Sequence, residues 1–168
     1  MNQNSQFGLP SSYRLQTTNT QETYEQVVIF QLRDEVYAVP VARVQEIIRL
    51  QPITVIPRAP DYVLGMTNLR GQVIPVIDLV KRLGLGQVQE NKLARIIIAE
   101  LPGQMVGMMV DNVISVAQLP QSEIEPPSPV VLSVDSQFIM GLTQYHEYLI
   151  ILLNLDKVLS RPVDTTLS

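Results

Sequence analysis

The chain contains no cysteine and no tryptophan, and it has only one histidine. Without cysteine there is no disulfide, no thiolate nucleophile and no thiolate metal site. The histidine, His146, lies in the polar segment Gln144–Glu147, which we interpret as a solvent-exposed turn. A metal site or a serine triad needs partners that this single histidine lacks. We therefore expect no metal, no cofactor and no catalytic residue.

Positive charge and aromatic residues are also scarce. Twelve Lys and Arg residues stand against sixteen Asp and Glu residues, which gives a net charge of −4, and aromatic residues make up 5% of the chain. Nucleic acids and anionic membranes are bound by clustered positive charge, and single strands also need aromatic stacking platforms. We therefore expect no nucleic-acid partner.

Long apolar runs are missing as well. No segment approaches the ~18 uninterrupted apolar residues of a membrane span, and the N-terminus lacks the basic start and apolar stretch of a signal peptide. We expect a cytoplasmic protein with no direct membrane insertion. The carboxylate pairs Asp34/Glu35 and Glu123/Glu125 lie in turns without an apolar pocket, so we interpret them as solvated.

Apolar residues nevertheless make up 46% of the chain, against 17% charged residues, so a sizeable core is expected. Most of them are Val, Ile and Leu, and enrichment in β-branched residues favours sheet. Short apolar segments separated by turn residues predict strands over residues 27–33, 36–39, 53–56, 65–70, 72–77, 94–100, 105–110, 113–118, 138–143 and 148–153. Short strands with few helices favour small β-barrels.

Three short helices are predicted between these strands. Pro40 opens the first, Val41–Ile48, whose apolar residues recur at helical spacing. Asp78 and Asn154 are good N-caps for the other two, Leu79–Leu83 and Leu155–Leu159. A helical turn capped by Asp61 is also expected.

The organisation of the chain follows from its composition. Residues 1–24 are rich in Gln, Asn, Ser and Thr, which predicts a disordered N-terminal tail. The polar connector Gly84–Lys92 is the expected internal boundary. It would separate a first barrel over residues 25–84 from a second over 92–160, followed by a C-terminal tail over 161–168.

Two charged residues stand out against apolar surroundings. Arg70 lies within the almost wholly apolar segment Tyr62–Leu79, and a guanidinium is costly to bury unless it is paired. It braces a loop or meets a partner, and both roles can coexist. Glu46, on the predicted first helix, is either the polar face of that helix or a partner contact.

Several motifs together resemble the CheW-like family of chemotaxis coupling proteins. They are VYAVPVARVQEI at Val36–Ile47, VLGMTNLRGQVIPVIDL at Val63–Leu79, VGMMVDNVISV at Val106–Val116, IEPP at Ile124–Pro127 and YLIILLNLDKVL at Tyr148–Leu159. They follow the order of the family over about residues 25–160, and NLRG before an IPVIDL-like strand is the most specific of them.

The resemblance implies a mainly β fold of two small SH3-like five-stranded β-barrels with short helices and a hydrophobic groove between them. It implies an adaptor without catalysis. Such adaptors couple the cytoplasmic tips of methyl-accepting receptors to the regulatory domain of a CheA-type histidine kinase. The protein would then associate with membrane receptor arrays through its partners. The long polar tail leaves room for a specialised system that steers pilus motility or phototaxis.

The same resemblance implies three groups of site residues. The receptor-binding groove would be lined by Val44, Glu46, Ile47, Gly107, Val113 and Val116. The hallmark loop is Asn68, Leu69, Arg70 and Gly71, and the kinase-facing surface is expected around Leu64, Gly65, Met66 and Thr67. The alternatives are a β-barrel module that binds another protein or single-stranded nucleic acid, and an enzyme that uses the cleft. Acidic charge and the lack of a polar cluster disfavour the nucleic-acid and enzyme readings.

Overall fold

The computed structural model describes residues 22–86, 91–127 and 133–160, and most regular structure in them is β-sheet. The strands are β1 (Tyr24–Leu32), β2 (Glu35–Pro40), β3 (Val44–Arg49), β4 (Val63–Leu69), β5 (Gln72–Asp78), β6 (Arg95–Leu101), β7 (Gln104–Val110), β8 (Asn112–Pro120), β9 (Ile139–Tyr145) and β10 (Tyr148–Leu153). Two short helices follow β5 and β10, namely α1 (Leu79–Arg82) and α2 (Leu155–Val158). The expected tails lie outside the described residues, apart from residues 22–24.

The strands form two five-stranded sheets with the same internal pattern. Sheet A has the order β8-β1-β2-β10-β9, and sheet B has the order β3-β6-β7-β5-β4. In both sheets the third and fourth strands in this order pair in parallel, while the other neighbours are antiparallel. The prediction of a mainly β protein with two five-stranded units is confirmed.

The sheets do not divide the chain as the predicted barrels do. The first half of the chain, β1 to α1, gives two strands to sheet A and three to sheet B, and the second half, β6 to α2, does the reverse. The expected barrels at 25–84 and 92–160 are therefore two structural repeats, each shared between both sheets. The parallel pairs β2–β10 and β5–β7 are non-local, and the order of strands along the chain gives no sign of them.

Buried apolar residues form three clusters. A central cluster draws on both sheets and includes Phe30, Ile97 and Leu153. Two smaller clusters each lie within one sheet. Along β1, Val28 and Phe30 belong to the central cluster, whereas Val27 and Ile29 belong to the cluster of sheet A. This alternation explains why β1 and β6 are apolar runs, because both faces of these strands are buried.

The predicted helix Val41–Ile48 is wrong. Val41–Arg43 forms a single 3-10 turn, and β3 then begins at Val44. β3 has a bulge between Val44 and Glu46, which lets residues three apart share a face and so mimics helical spacing. Pairing with β6 decides the outcome, because a helix here would leave the buried backbone of β6 without hydrogen-bond partners on that side.

The segment before β4 also differs from expectation. Of the predicted strand Ile53–Ile56, only Thr54 pairs, exchanging two backbone hydrogen bonds of 2.8 Å with Met66. The turn that Asp61 was expected to cap is not helical, and β4 starts at Val63. The three prolines of this segment remove backbone donors and limit any longer pairing.

The two helices begin at the predicted residues, and a hydrogen bond joins their C-terminal ends. Asp78 accepts a hydrogen bond from the Lys81 backbone N–H at 3.1 Å, and Asn154 caps α2 in the same way, so both predicted caps are confirmed. At the end of α1, the Arg82 Nε donates to the Val158 carbonyl at 2.7 Å. Its guanidinium carbon lies 4.7 Å from the Tyr62 ring centre and 4.9 Å from that of Phe138. Arg82 therefore ties the first repeat to the second.

Candidate functional site

Val44 and Ile47 of β3 point to the same side of sheet B. Val44 lies opposite Ala99, and Ile47 lies opposite Ile97. Both of these partners belong to the central cluster. Because residues directly opposite each other share a face of the sheet, Val44 and Ile47 are on the face that looks towards sheet A.

Val113 and Val116 of β8 have the same arrangement in sheet A. Val113 lies opposite Phe30 and Val116 opposite Val28, and both partners are again in the central cluster. A bulge in β8 separates the two valines, as in β3. Four of the predicted groove residues therefore come from the edge strands of two different sheets and face the junction between them.

We call Val44, Ile47, Val113 and Val116 the apolar strip. Val44 and Val113 are half-buried and pack against the central cluster, so they form its floor. Ile47 is 37% exposed and Val116 is 56% exposed. Exposed apolar side chains beside half-buried ones are typical of a surface that binds a partner.

Glu46 points away from the strip. It lies opposite Ile98, which belongs to the cluster of sheet B, and it forms an ion pair with Arg70 in the turn between β4 and β5. β3 and β4 are the two edges of sheet B, so this pair draws the edges together and closes the sheet towards a barrel. The ion pair is the contact that the brace interpretation of Arg70 expects, and the Arg70 side chain remains 70% exposed, so the charge is also accessible to a partner.

The residues of the hallmark loop form a tight turn between β4 and β5. Arg70 and Gly71 both have positive φ, 52° and 87°, which is the backbone of a two-residue hairpin turn that matches the twist of its strands. The Asn68 side chain accepts a hydrogen bond of 2.9 Å from the Gly71 N–H. Leu69 is buried in the cluster of sheet B. Of the four residues, Arg70 is the one that offers a charged group to solvent.

Three predicted site residues lie in the interior instead. A Cβ on Gly107 would approach the Ile96 Cγ2 to 2.8 Å, so this position needs glycine for packing and does not line the groove. Gly65 is buried against the backbone of Thr54, and Thr67 is buried with its hydroxyl donating to the Pro52 carbonyl at 3.0 Å. A sequence motif cannot separate such packing residues from contact residues.

Leu64 and Met66, the other two residues of the expected kinase-facing surface, are half-buried on β4. Leu64 packs into the cluster of sheet B, whereas Met66 lies opposite Pro75, a residue that lines an apolar pocket of about 260 Å³ that the sequence did not reveal. Its lining residues are Ile56, Ala59, Pro60, Tyr62, Val63, Pro75, Ile77, Gln104, Val106, Val158, Leu159 and Ser160. Val73 is 57% exposed on the same face of β5 as Pro75 and Ile77 and extends the apolar surface beyond the pocket.

A larger residue holds the corresponding position in sheet A. Tyr37 holds the register position there that Val106 holds in sheet B, and Val134 is buried in the same cluster. The Tyr37 hydroxyl donates to Glu35 at 2.6 Å, and burial, with help from that carboxylate, raises the pKa of Tyr37. Sheet A therefore carries a tyrosine where the pocket side of sheet B has the smaller Val106.

The β3 half of the strip and the pocket lie in different parts of sheet B, and the other half of the strip lies on β8 of sheet A. In sheet B, Val44 and Ile47 are at the β3 edge, the pocket is on β7, β5 and β4, and β6 lies between them. Residues 22–86, 91–127 and 133–160 contain no group of three His, Asp or Glu side chains placed to hold a metal ion. None of the helices in these ranges is long and apolar enough to cross a membrane.

Comparisons with known proteins agree on one family. Residues 26–163 match the family model of the CheW-like domain. The chain is 30% identical to the probable chemotaxis protein CheW of Rhizobium etli over 149 residues, covering 89% of this chain and 95% of that protein. It is also 30% identical to the chemotaxis protein CheW of Treponema pallidum, covering 80% and 82% of the two chains. The crystal structure of the scaffolding protein TtCheW from Thermoanaerobacter tengcongensis matches with a TM-score of 0.78 and 35% identity, covering 89% of this chain and 97% of that one.

Proposed function

The chain belongs to the CheW-like family, and from this we propose that it is a non-enzymatic adaptor that couples methyl-accepting receptors to a CheA-type histidine kinase in a chemotaxis-like pathway. Similar proteins carry the name chemotaxis protein CheW, and a similar solved structure is that of a scaffolding protein. The chain matches these proteins over most of their lengths, so the comparison supports the role of the whole domain.

The observation that carries the proposal is the presence of two apolar surfaces in separate places. An adaptor must hold two partners at once, so its two contact surfaces cannot overlap. The strip and the pocket share no residue and are separated by β6. Soluble proteins rarely leave contiguous apolar surface uncovered unless a partner uses it.

The strip suits the receptor. A receptor tip is a helical hairpin, and a helix binds by laying its apolar face into a hydrophobic groove. The strip offers exposed Ile47 and Val116 beside the half-buried floor formed by Val44 and Val113. Because Glu46 faces the other way, its contribution to receptor binding is indirect, through the brace with Arg70.

The pocket side of sheet B suits the kinase regulatory domain. Met66 lies opposite Pro75, which lines the pocket, and Val73 extends this surface with an exposed apolar side chain. A pocket of about 260 Å³ has room for a few apolar side-chain groups of a partner. Small interfaces bind weakly when they act singly, and repeated contacts in a receptor array supply avidity.

The proposal is tested by reconstitution from three purified proteins. The chain is mixed with a receptor-tip fragment and with the kinase regulatory domain, each alone and both together, and the mixtures are separated by size. We expect two binary complexes and one ternary complex, with no co-elution of the receptor fragment and the kinase domain when the chain is left out. Competition between the two partners for the chain would contradict the proposal.

A further inference from the structure

The pocket on sheet B opens onto the central cluster. Apart from Tyr62, Gln104 and Ser160, its lining side chains are wholly apolar. Six lining residues belong to the central cluster or pack against it, namely Tyr62, Val63, Ile77, Val106, Val158 and Leu159. Because the pocket continues the core, covering it with an apolar group removes apolar surface from water and is favourable.

The last residues that the structure describes line this pocket. α2 ends at Val158, and Val158, Leu159 and Ser160 are all lining residues. The Ser160 hydroxyl donates a hydrogen bond of 2.9 Å to the Lys157 carbonyl, which holds this point of the chain against the end of α2. The segment that follows Ser160 therefore starts at the wall of the pocket.

The sequence of that segment contains one pair of adjacent apolar residues. Residues 161–168 read RPVDTTLS, and the pair is Pro162-Val163. Three residues of chain span at most about 11 Å, so Val163 can reach a pocket that Ser160 itself lines. The match to the family model covers residues 26–163, so the matched domain includes the pair and stops directly after it.

The first repeat shows a contact of this kind after its own helix. α1 and α2 are equivalent, because each directly follows a strand of a parallel pair, β5 or β10. After α1 the Leu85 backbone N–H donates to the Val80 carbonyl at 2.8 Å, and the Leu85 side chain packs against the central cluster. An apolar residue shortly after the helix thus covers the core in one repeat, and Pro162-Val163 is the apolar pair that follows α2.

We propose that Pro162 and Val163 occupy the pocket in the free chain, and that the kinase regulatory domain displaces them when it binds there; the competition rests on the proposed function. A tethered occupant needs little affinity of its own, because a short tether gives an effective concentration in the millimolar range. The segment keeps the apolar pocket covered until the kinase arrives. It also lowers the apparent affinity for the kinase in proportion to the fraction of chains whose pocket is free.

Val163→Asp and Thr165→Asp, made in the full chain, test the docking. Both add one negative charge to the same segment, but only the first places it in the pocket, where a carboxylate loses its water. In the original chain we expect nuclear Overhauser contacts between the methyl groups of Val163 and those of Ile77 or Val106. Val163→Asp should shift the Ile77 and Val106 methyl signals, and Thr165→Asp should leave them unchanged.

Titration with the kinase regulatory domain tests the competition. Adding this domain to the original chain should remove the contacts of Val163 with the pocket. Val163→Asp should bind the domain roughly fivefold more tightly than the original chain, as expected if about one fifth of the original chains have a free pocket. Thr165→Asp should bind it as the original chain does.

Absence of contacts between Val163 and the pocket in the original chain would overturn the inference and leave the proposed function intact. Contacts that persist in the complex with the kinase domain would overturn the competition. Pocket signals that change with protein concentration but not with Val163→Asp would assign the pocket to a second copy of the chain and overturn the docking. Failure of the kinase domain to bind any of the three chains would overturn the proposed function and the competition, whereas the contacts of Val163 decide the docking by themselves.

Discussion

Arg70 holds two parts of sheet B together and still presents its charge to solvent. Its ion pair with Glu46 joins the β4–β5 turn to β3, and its side chain is 70% exposed. Exposed ion pairs contribute little to stability, with a median of about 0–1 kcal/mol. The main effect of this pair is therefore to position β3 relative to the β4–β5 turn. β3 carries half of the apolar strip.

Arg70→Ala should therefore weaken receptor binding more than it weakens folding. We expect a loss of at most about 1 kcal/mol in the free energy of unfolding, and a loss of roughly tenfold in receptor affinity, as is common for an interface arginine. Calorimetry on both the melting transition and the binding reaction measures the two effects.

Glu46→Ala separates the two roles left open for Arg70. If Arg70 acts only as a brace, Glu46→Ala should reduce affinity equally, and the double variant should add nothing. A larger loss from Arg70→Ala shows direct contact. A variant that melts far lower but binds normally once folded would contradict the account.

Arg82 joins the two repeats through one residue. Its hydrogen bond to the Val158 carbonyl and its position between the Tyr62 and Phe138 rings would all be lost in Arg82→Ala. We expect a cost of roughly 2–3 kcal/mol in urea unfolding, from the unpaired carbonyl and the lost ring contacts. Arg82→Lys keeps the charge without the planar group and should cost less. A change below about 0.5 kcal/mol, typical of an ordinary surface substitution, would show that the repeats do not depend on Arg82.

Residue patterns in the sequence predict some of these roles and miss others. Asp78 and Asn154 are correctly predicted as caps, because capping depends on the local chain alone. Arg82 and Gly107 carry no such local signal. Their roles come from residues distant in the chain, Val158 for the first and Ile96 for the second.

β4 is an edge strand whose outer side is partly covered by the backbone of Thr54. Gly65 makes this approach possible, since it has φ of 147° and a Cβ there would lie 2.1 Å from the Thr54 oxygen. The counterpart in sheet A is Glu125, which bridges to Leu142 on β9 in the same way. Covering an edge in this manner protects it from pairing with other chains.

Gly65→Ala should therefore be strongly destabilising. We expect a loss of at least about 3 kcal/mol in the free energy of unfolding, from backbone strain and the clash together. Gly103→Ala is the matched control, because Gly103 has φ of 82° but open space around it. It should cost only about 1 kcal/mol, from strain alone. Equal losses in urea titrations of the two variants would show that the contact with Thr54 is unimportant.

The element most clearly mispredicted is β3, and the reason is physical. Val41, Val44, Ile47 and Ile48 fit a helix by spacing, and a bulged strand produces the same spacing. Only the buried partner β6 distinguishes the two outcomes. The buried runs β1, β6 and β10 are predicted as strands because they are short, rich in β-branched residues and bounded by turn residues, and these features favour a strand over a helix.

The whole molecule is a pair of repeats that complete each other's sheets. Neither repeat alone contains a full five-stranded sheet, because each gives two strands to one sheet and three to the other. The order of strands along the chain predicts two barrels side by side, since non-local parallel pairing leaves no trace in local sequence.

Residues 1–86 and 87–168, made as separate chains, should therefore be unfolded alone and fold when mixed. Circular dichroism of each fragment and of the mixture checks this, with the intact chain as the control. A cooperative melting transition of residues 1–86 alone would contradict this prediction, because it would show that the first repeat folds without the strands of the second.

The central hypothesis is that the apolar strip binds the receptor and the pocket side of sheet B binds the kinase. One substitution tests it most directly. Val116→Asp places a charge on an exposed position of the apolar strip, and Ser115→Asp places the same charge one residue away on the opposite face of β8. Each variant is titrated against the receptor-tip fragment and against the kinase regulatory domain. We expect Val116→Asp to lose the receptor fragment and retain the kinase domain, because a desolvated carboxylate is costly. Ser115→Asp should retain both. Loss of both partners in a folded Val116→Asp variant, or of neither, would contradict the account.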